Sequence, residues 1–332
     1  MTNILSDYEC DRYLCDNVDN VKEKLDKYGV AILSGVLTKG ECDSMKSGMW
    51  DYLEKVSEKF TKPIKRDEPD SWKELKQLWP KHSMLIQQWS IGHAQFIWDL
   101  RQNPNVLDVF AKLWSTTPDN LLTSFDGASF HMPPETTGSG WFRGKSWLHT
   151  DQSYHRNGFE CIQSWITAYD VNAGDATLTF LEGSHKFHSK FQDRFHIETK
   201  DDWCLMETPE QLEFYTKENG CPQKYIKCPA GSMVLWDSRT IHCGQEASKL
   251  RPIPNQRCVA YICMTPRTLA TPAVLKKKIK AFEELRSCNH WPHKPKVFPK
   301  APRTFGQQIA EITQIEAPTI GPIGRRLVGY DN

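Results

Sequence analysis

Residues 161–184, CIQSWITAYDVNAGDATLTFLEGS, decide how the rest of the chain is read. Two runs dense in β-branched and aromatic residues flank a polar break around Asn172 and Gly174. Side chains of that kind fit a pleated, half-buried surface, and such a break between apolar runs marks a turn. The same texture recurs on both sides, in NLLTSFDGASFHM, SWLHTDQ, YIKCPAGSMVLWDS, TIHCG and RCVAYICMTP. Many short strands at modest spacing predict a β-sandwich or barrel rather than a parallel βαβ sheet.

Outward from these strands the text becomes helical. Residues 19–28 have helical spacing, GVAILSG is a short apolar strand, and TKGECDSMKSGMWDYLEKVSEKF resumes a helix behind a Thr N-cap. In PNVLDVFAKLWST, Val106, Phe110 and Leu113 share a face, and Pro104 suits the first turn. We therefore read residues 1–332 as a single domain. Residues 1–119 give helical support, 120–265 the β core, and 266–332 a basic helix followed by a Pro-rich tail, HWPHKPKVFPKAPRTFG. A polar, partly helical insertion at about 186–223 interrupts the core and is expected to lie over one face of it. There is no internal repeat.

Composition excludes several classes of function. The 332 residues carry 42 Lys plus Arg against 41 Asp plus Glu, a net charge of +1, so no overall field favours nucleic acid or an anionic membrane. The N-terminal text has no signal-peptide pattern and no apolar run is long enough for a membrane span, which makes a cytoplasmic or nuclear location the expectation. Eleven cysteines without a CxxC pair indicate neither a disulfide framework nor a structural zinc site. Cys243 reads as a small buried thiol.

Within SWLHTDQSYH, residues 146–155, His149 and Asp151 stand two apart. On a strand, positions i and i+2 point to one face, so an imidazole and a carboxylate converge. A distant strand histidine would complete a 2-His-1-carboxylate triad, a donor set that suits non-heme Fe(II) and oxygen chemistry. GSMVLWDSRTIHCG offers His242, directly after a turn at 237–239. The pair His196 and Glu198 repeats the H-x-[DE] spacing but lies in the charged insertion without a rigid framework, so it is set aside as a metal site. Oxygenases of this type commonly need a keto acid, whose far carboxylate calls for a cation, best a bidentate arginine. Arg257 opens the strand RCVAYICM, with Val259 and Tyr261 on the same face. Arg251 and Arg267 are weaker candidates, one in a Pro-bounded loop and the other beyond the strand.

The ordered set WLHTDQ, CIQSWITAYDVNAGDATLTFLEGSHK, GSMVLWDSRTIHCG and NQRCVAY, with YGVAILSGVLTKGECDSM before it, resembles the phytanoyl-CoA dioxygenase family of Fe(II)/2-oxoglutarate oxygenases over roughly residues 20–265. The resemblance implies a mainly β fold with flanking helices around a double-stranded β-helix, the cupin-like jelly roll. It implies iron on His149, Asp151 and His242, 2-oxoglutarate on Arg257, and O2 as the oxidant. Gln152 and Thr179 are second-rank candidates for hydrogen bonds to the cosubstrate or a ligand. Two departures stand out. Asp175 and Ala176 replace the family's usual Asn-Gly turn, and Pro252 and Pro254 lengthen the gap between His242 and Arg257.

The resemblance further implies an oxidoreductase, a metal-binding dioxygenase that hydroxylates a small-molecule substrate and releases succinate and CO2. In the related halogenases the carboxylate ligand gives way to a small residue. Asp151 is present here, so hydroxylation, or desaturation or ring formation, is expected. A protein or peptide hydroxylase, with the insertion and tail forming a groove, is the alternative within the enzyme class. A non-catalytic jelly-roll binding module is the alternative outside it. Trp147, Trp165 and Trp236 read as core or pocket wall, Tyr154 as a border of the substrate mouth, Arg143, Lys145 and Arg156 as a solvated charged face, and His131 as structural.

Overall fold

Strict alternation sorts each apolar run onto two faces, and both faces are covered. The computed structural model describes residues 4–78, 84–302, 304 and 306–331; Arg303 and Phe305 of the Pro-rich tail lie outside the described residues. Its strands are β1 (Tyr8–Glu9), β2 (Leu14–Cys15), β3 (Val30–Leu33), β4 (Leu85–Ile86), β5 (Leu121–Thr123), β6 (Ala128–His131) and β7 (His149–Thr150). They continue with β8 (Ile162–Thr167), β9 (Thr177–Leu181), β10 (Cys204–Leu205), β11 (Gln223–Ile226), β12 (Met233–Asp237), β13 (His242–Gln245) and β14 (Arg257–Pro266). One sheet runs β1-β11-β9-β13-β7-β10. The other runs β2-β3-β12-β8-β14-β6-β4, with β5 added to β14. The two sheets pack as a sandwich, the jelly-roll core that the strand-rich text and the resemblance imply.

On β12, Val234 and Trp236 face the space between the sheets, where they meet Trp165, Phe180 and Val259. Met233 and Leu235 face outward onto a second core built with the helices. The helix Lys39–Val56 supplies much of that core through Met45, Met49, Leu53 and Val56. Its start is fixed by a capping box in which Thr38 and Glu41 satisfy each other's backbone N–H groups. Each such large apolar side chain, fully buried, contributes about 1.5–3 kcal/mol. Pro104 occupies the first turn of the helix Pro104–Leu113, as its fixed φ favours.

Two details go beyond the sequence reading. The acidic N-terminal text contributes β1 and β2, which pair in parallel with β11 and β3 at the sheet edges. The insertion contributes β10, which pairs with β7, while its aromatic residues Phe191, Phe214 and Tyr215 pack with Leu181 and Cys243 on the outside of the smaller sheet.

The turn without Asn-Gly is built another way. Gly174 takes the positive φ of +90°, and the Asp175 carboxylate accepts from the Asn172 backbone N–H at 2.9 Å. Asp175 also accepts from Arg251 at 3.2 Å and from Asn255 at 2.8 Å. The Pro-bounded loop after His242 is thereby tied to the turn before β9. Among the described residues, no helix is long and apolar enough to cross a membrane.

Candidate metal centre

The register of the smaller sheet brings the two distant histidines together. His242 on β13 lies directly opposite His149 on β7, and opposite residues of an antiparallel pair share a face. Their ring centroids are 4.6 Å apart. The chain leaves β7 with Asp151 turned back to the same point, held by a hydrogen bond from its backbone N–H to the Ser238 carbonyl at 3.0 Å. One donor atom from each of His149, Asp151 and His242 lies within 4.8 Å of the others, and all three residues are buried.

Hydrogen bonds fix which atoms face inward. His149 Nδ1 lies 2.9 Å from the Trp147 carbonyl and His242 Nδ1 lies 2.8 Å from the Thr240 carbonyl. A carbonyl only accepts, so each Nδ1 carries the proton and each neutral ring turns its Nε2 lone pair inward. Those lone pairs meet Asp151 Oδ2 at 3.5 Å and 3.3 Å. Three acceptors pointed at one another in a dry site repel unless a cation sits among them. Backbone carbonyls orienting ligand imidazoles in this way are the usual support of a metal site. Burial would push the Asp151 carboxyl up, but where the imidazoles carry a second proton, the charge of His149 and His290 and the hydrogen bonds from His149 and His242 hold it well below the usual carboxylate range, the place a bound cation would take. Burial and the neighbouring His149 push His242 down against the opposing pull of Asp151, which favours its neutral, metal-binding form. The donor set therefore fits Fe(II) with positions left open.

Gln163 on β8 donates to Asp151 Oδ2 at 2.9 Å and fixes the carboxylate. The sequence reading passed over it, although a glutamine inside an apolar strand was the available signal. Trp147 stacks on His149 at 4.9 Å and donates to the Gly244 carbonyl at 2.8 Å.

The triad opens into a cavity of about 520 Å³ between the sheets. Arg257 lines it from β14, with Nε donating to Ser129 Oγ at 3.0 Å and Nη1 to the Ala176 carbonyl at 3.1 Å. Trp165 lies under its guanidinium, 5.2 Å from the ring centroid. Tyr261 lines the same wall, as its spacing from Arg257 implies, and Trp147, Trp165 and Trp236 all serve as pocket wall.

Other candidates lie elsewhere. Thr179 stands opposite Cys243, one position out of phase with His242, so it faces away from the metal; its hydroxyl donates to the Lys224 carbonyl at 3.0 Å and accepts from Gln223. Gln152 directs its amide to the Arg156 and Gly158 carbonyls and accepts from Ser238, which braces the loop after β7. Neither lines the cavity. Arg251 is buried between Glu135 and Asp175, and Arg267 binds the C-terminal segment at Gly329 and Asp331. Tyr154 is buried in the insertion's aromatic cluster, its hydroxyl 3.2 Å from that of Tyr215, and so does not border the mouth. Arg156 pairs with Glu160 and Asp202, while Arg143 and Lys145 are exposed. His196 caps its helix in the left-handed conformation, outside the site. Cys243 is a buried thiol pushed up to about 11 by burial.

Several residues that line the cavity carried no signal in the sequence. Trp203, from the insertion, is half exposed and lies 5.7 Å from His149. Asp126, His290, Lys296 and Phe298 line it as well, the last three from the Pro-rich tail.

The family model described as phytanoyl-CoA dioxygenase matches residues 25–249 of this chain. A curated relative, the Ava biosynthesis cluster protein O of Aspergillus versicolor, is 28% identical over 215 residues, which cover 62% of this chain and 66% of that protein, just under two thirds of its length. Among solved structures, GlcNAc Inducible Gene 2 of Candida albicans superposes with a TM-score of 0.57 at 12% identity, covering 98% of this chain and 78% of that one. A protein of Salmonella typhimurium LT2 gives 0.52 at 12% identity, covering 94% and 82%. These two likenesses concern the fold alone.

Proposed function

The chain belongs to the phytanoyl-CoA dioxygenase family of Fe(II)/2-oxoglutarate-dependent dioxygenases, and from that premise we propose that it hydroxylates a small molecule, with release of succinate and CO2, at the centre formed by His149, Asp151 and His242. The observation that carries the reading is the convergence of two imidazole lone pairs and one carboxylate oxygen, each imidazole locked from behind by a backbone carbonyl. Iron held there, with 2-oxoglutarate and O2, supplies oxidation of an unactivated C–H bond as the keto acid loses CO2.

The chain's own residues orient and enclose. Arg257 offers the far carboxylate of 2-oxoglutarate a cation whose other N–H groups are already anchored, so little rotamer freedom is lost on binding. Gln163 holds Asp151 in its ligating rotamer. The aromatic walls exclude water from the oxidising centre. A cavity of this volume is the size of a small-molecule site. Phe298 and Lys296 of the Pro-rich tail form part of its wall, and a walled cavity of this size supports a small molecule over an extended peptide.

Anaerobic titration with Fe(II) and 2-oxoglutarate tests the reading through the weak visible charge-transfer band of a chelated keto acid. A band in wild type, absent in His149→Ala and requiring roughly tenfold or more 2-oxoglutarate in Arg257→Ala, is the expected result. A well-folded wild type without the band overturns it in favour of a binding module.

A further inference from the structure

The loop from Cys288 to Val297 is an ordered piece of the Pro-rich tail, and its order has a visible cause. Cys288 and Val297 form an isolated bridge, Asn289 N–H donates to the Lys296 carbonyl at 3.1 Å, and Lys296 N–H donates to Asn289 Oδ1 at 2.9 Å. Trp291, fully buried, plugs the loop into the core against Cys161 and Cys263. The Cys288 N–H donates to the Phe125 carbonyl at 3.0 Å, and His293 Nδ1 lies 3.1 Å from Thr265 Oγ1. These anchors hold two side chains at the cavity, His290 and Lys296.

Neither polar end has found a partner in the protein. His290 Nε2 is buried without a hydrogen bond, a state that native structures rarely tolerate unless something else supplies the partner. The imidazole lines the same cavity as Asp126 and the three ligand residues His149, Asp151 and His242. Lys296 is exposed, and among the described residues no carboxylate lies within ion-pair distance of its ammonium. Charge balance makes this second point directional. With iron and 2-oxoglutarate in place, the metal's two positive charges and that of Arg257 are matched by Asp151 and the two carboxylates of the cosubstrate, while burial pushes the carboxyl of Asp126, the other acid on the cavity wall, up towards its neutral form. Lys296 is then the uncompensated cation at the mouth, where an anion is drawn in and a second cation is repelled.

We infer that this loop is the substrate-recognition element and that the substrate is a ring-bearing small molecule with an anionic group, taken by Lys296, and a hydroxyl or carbonyl oxygen, taken by His290 Nε2. The half-exposed Trp203 and Phe298 supply flat apolar surface for the ring between the two polar ends. The inference rests on the oxygenase reading above.

Calorimetry on the anaerobic protein loaded with Fe(II) and 2-oxoglutarate tests it with three probes: 6-hydroxy-2-naphthoate, 2-naphthoate and 6-hydroxy-2-naphthamide. The first binds wild type, and removing either its hydroxyl or its charge weakens binding about tenfold, as expected for one hydrogen bond or ion pair in a partly desolvated site. His290→Ala erases the preference for the hydroxyl and keeps that for the charge; Lys296→Met does the reverse. His290→Gln, which keeps a donor and an acceptor, restores part of the hydroxyl preference. Thermal melting checks that the variants remain folded, which the loop's other anchors favour. Preferences untouched by both substitutions, or no binding by any probe while the charge-transfer band is intact, overturn the inference and leave His290 a water-bonded side chain. An absent band instead overturns the oxygenase reading, and the inference falls with it.

Discussion

A single oxygen, Asp151 Oδ2, receives the Gln163 amide at 2.9 Å and faces both ligand imidazoles. The amide is what keeps the carboxylate aimed when it carries charge in a dry site. Gln163→Leu keeps the side chain's bulk and removes that bond, so Fe(II) affinity should fall about ten- to a hundredfold with the melting temperature little changed. An unaltered Fe(II) titration would show the carboxylate to be oriented by its loop alone. Thr179 gives the opposite case. Thr179→Val should leave the 2-oxoglutarate requirement within about twofold, because its hydroxyl bonds Lys224 on the far face; a large rise would mean that the strand face has been misassigned. The triad was legible because few residue types ligate iron and their strand spacing constrains direction. The direction of Thr179 was not legible, since a face depends on which residue of the partner strand stands opposite, and one position of register reverses it.

Strands long enough to show a pattern were readable, and those that were not depend on partners. The runs that became β8, β9, β12 and β14 announced themselves by composition, and the helix Lys39–Val56 by its cap and spacing. The two-residue strands β1, β2 and β10 contain no period, and exist because a neighbouring edge offers unpaired groups. The Pro-rich tail carries no periodic pattern, and the order of its described residues comes from Trp291 and the bridge between Cys288 and Val297, which no local pattern encodes. Close approach between elements is similarly silent in sequence. At Gly127, before β6, a Cβ would lie 1.9 Å from the Ile86 carbonyl of β4, and neither backbone can yield without breaking the pairing of Ile86 with Ala128. Gly127→Ala should therefore cost about 3 kcal/mol. Gly40→Ala, in a helix with open space around it, should be neutral or stabilising by about 0.5 kcal/mol. Chemical denaturation of the two variants reads the contrast, and equal effects would contradict the close packing of β4 on β6.

Across the whole molecule, three buried histidines each tie a peripheral segment to the core. His93 joins the helical support to the C-terminal region through the Arg286 carbonyl at 2.9 Å. His188 joins the insertion to the loop beyond Asp151 through the Ser153 carbonyl at 3.1 Å, and His293 joins the recognition loop to β14 through Thr265. Burial pushes His93 down to about 3 and both His188 and His293 down to about 4, with the nearby cations Arg101, Arg239 and Lys294 adding to it. In the unfolded chain these imidazoles titrate near pH 6.5. The unfolded state therefore binds more protons between about pH 6.5 and each folded value, so stability is complete above that window and is withdrawn as pH falls through it. His93 alone should remove on the order of 2 kcal/mol by about pH 4.5. Glu135, held low by Arg251, acts in the same direction below the ordinary carboxylate range. Asp126 opposes it, since burial raises its carboxyl and protonation relieves that cost. Three histidines outweigh one carboxyl, so the melting temperature should drop steadily from about pH 7 to 4.5, and the drop should shrink in His93→Gln. A melting temperature that is flat or rises over that interval would mean that these histidines are solvated in the native protein, and that the three segments are held to the core by other contacts.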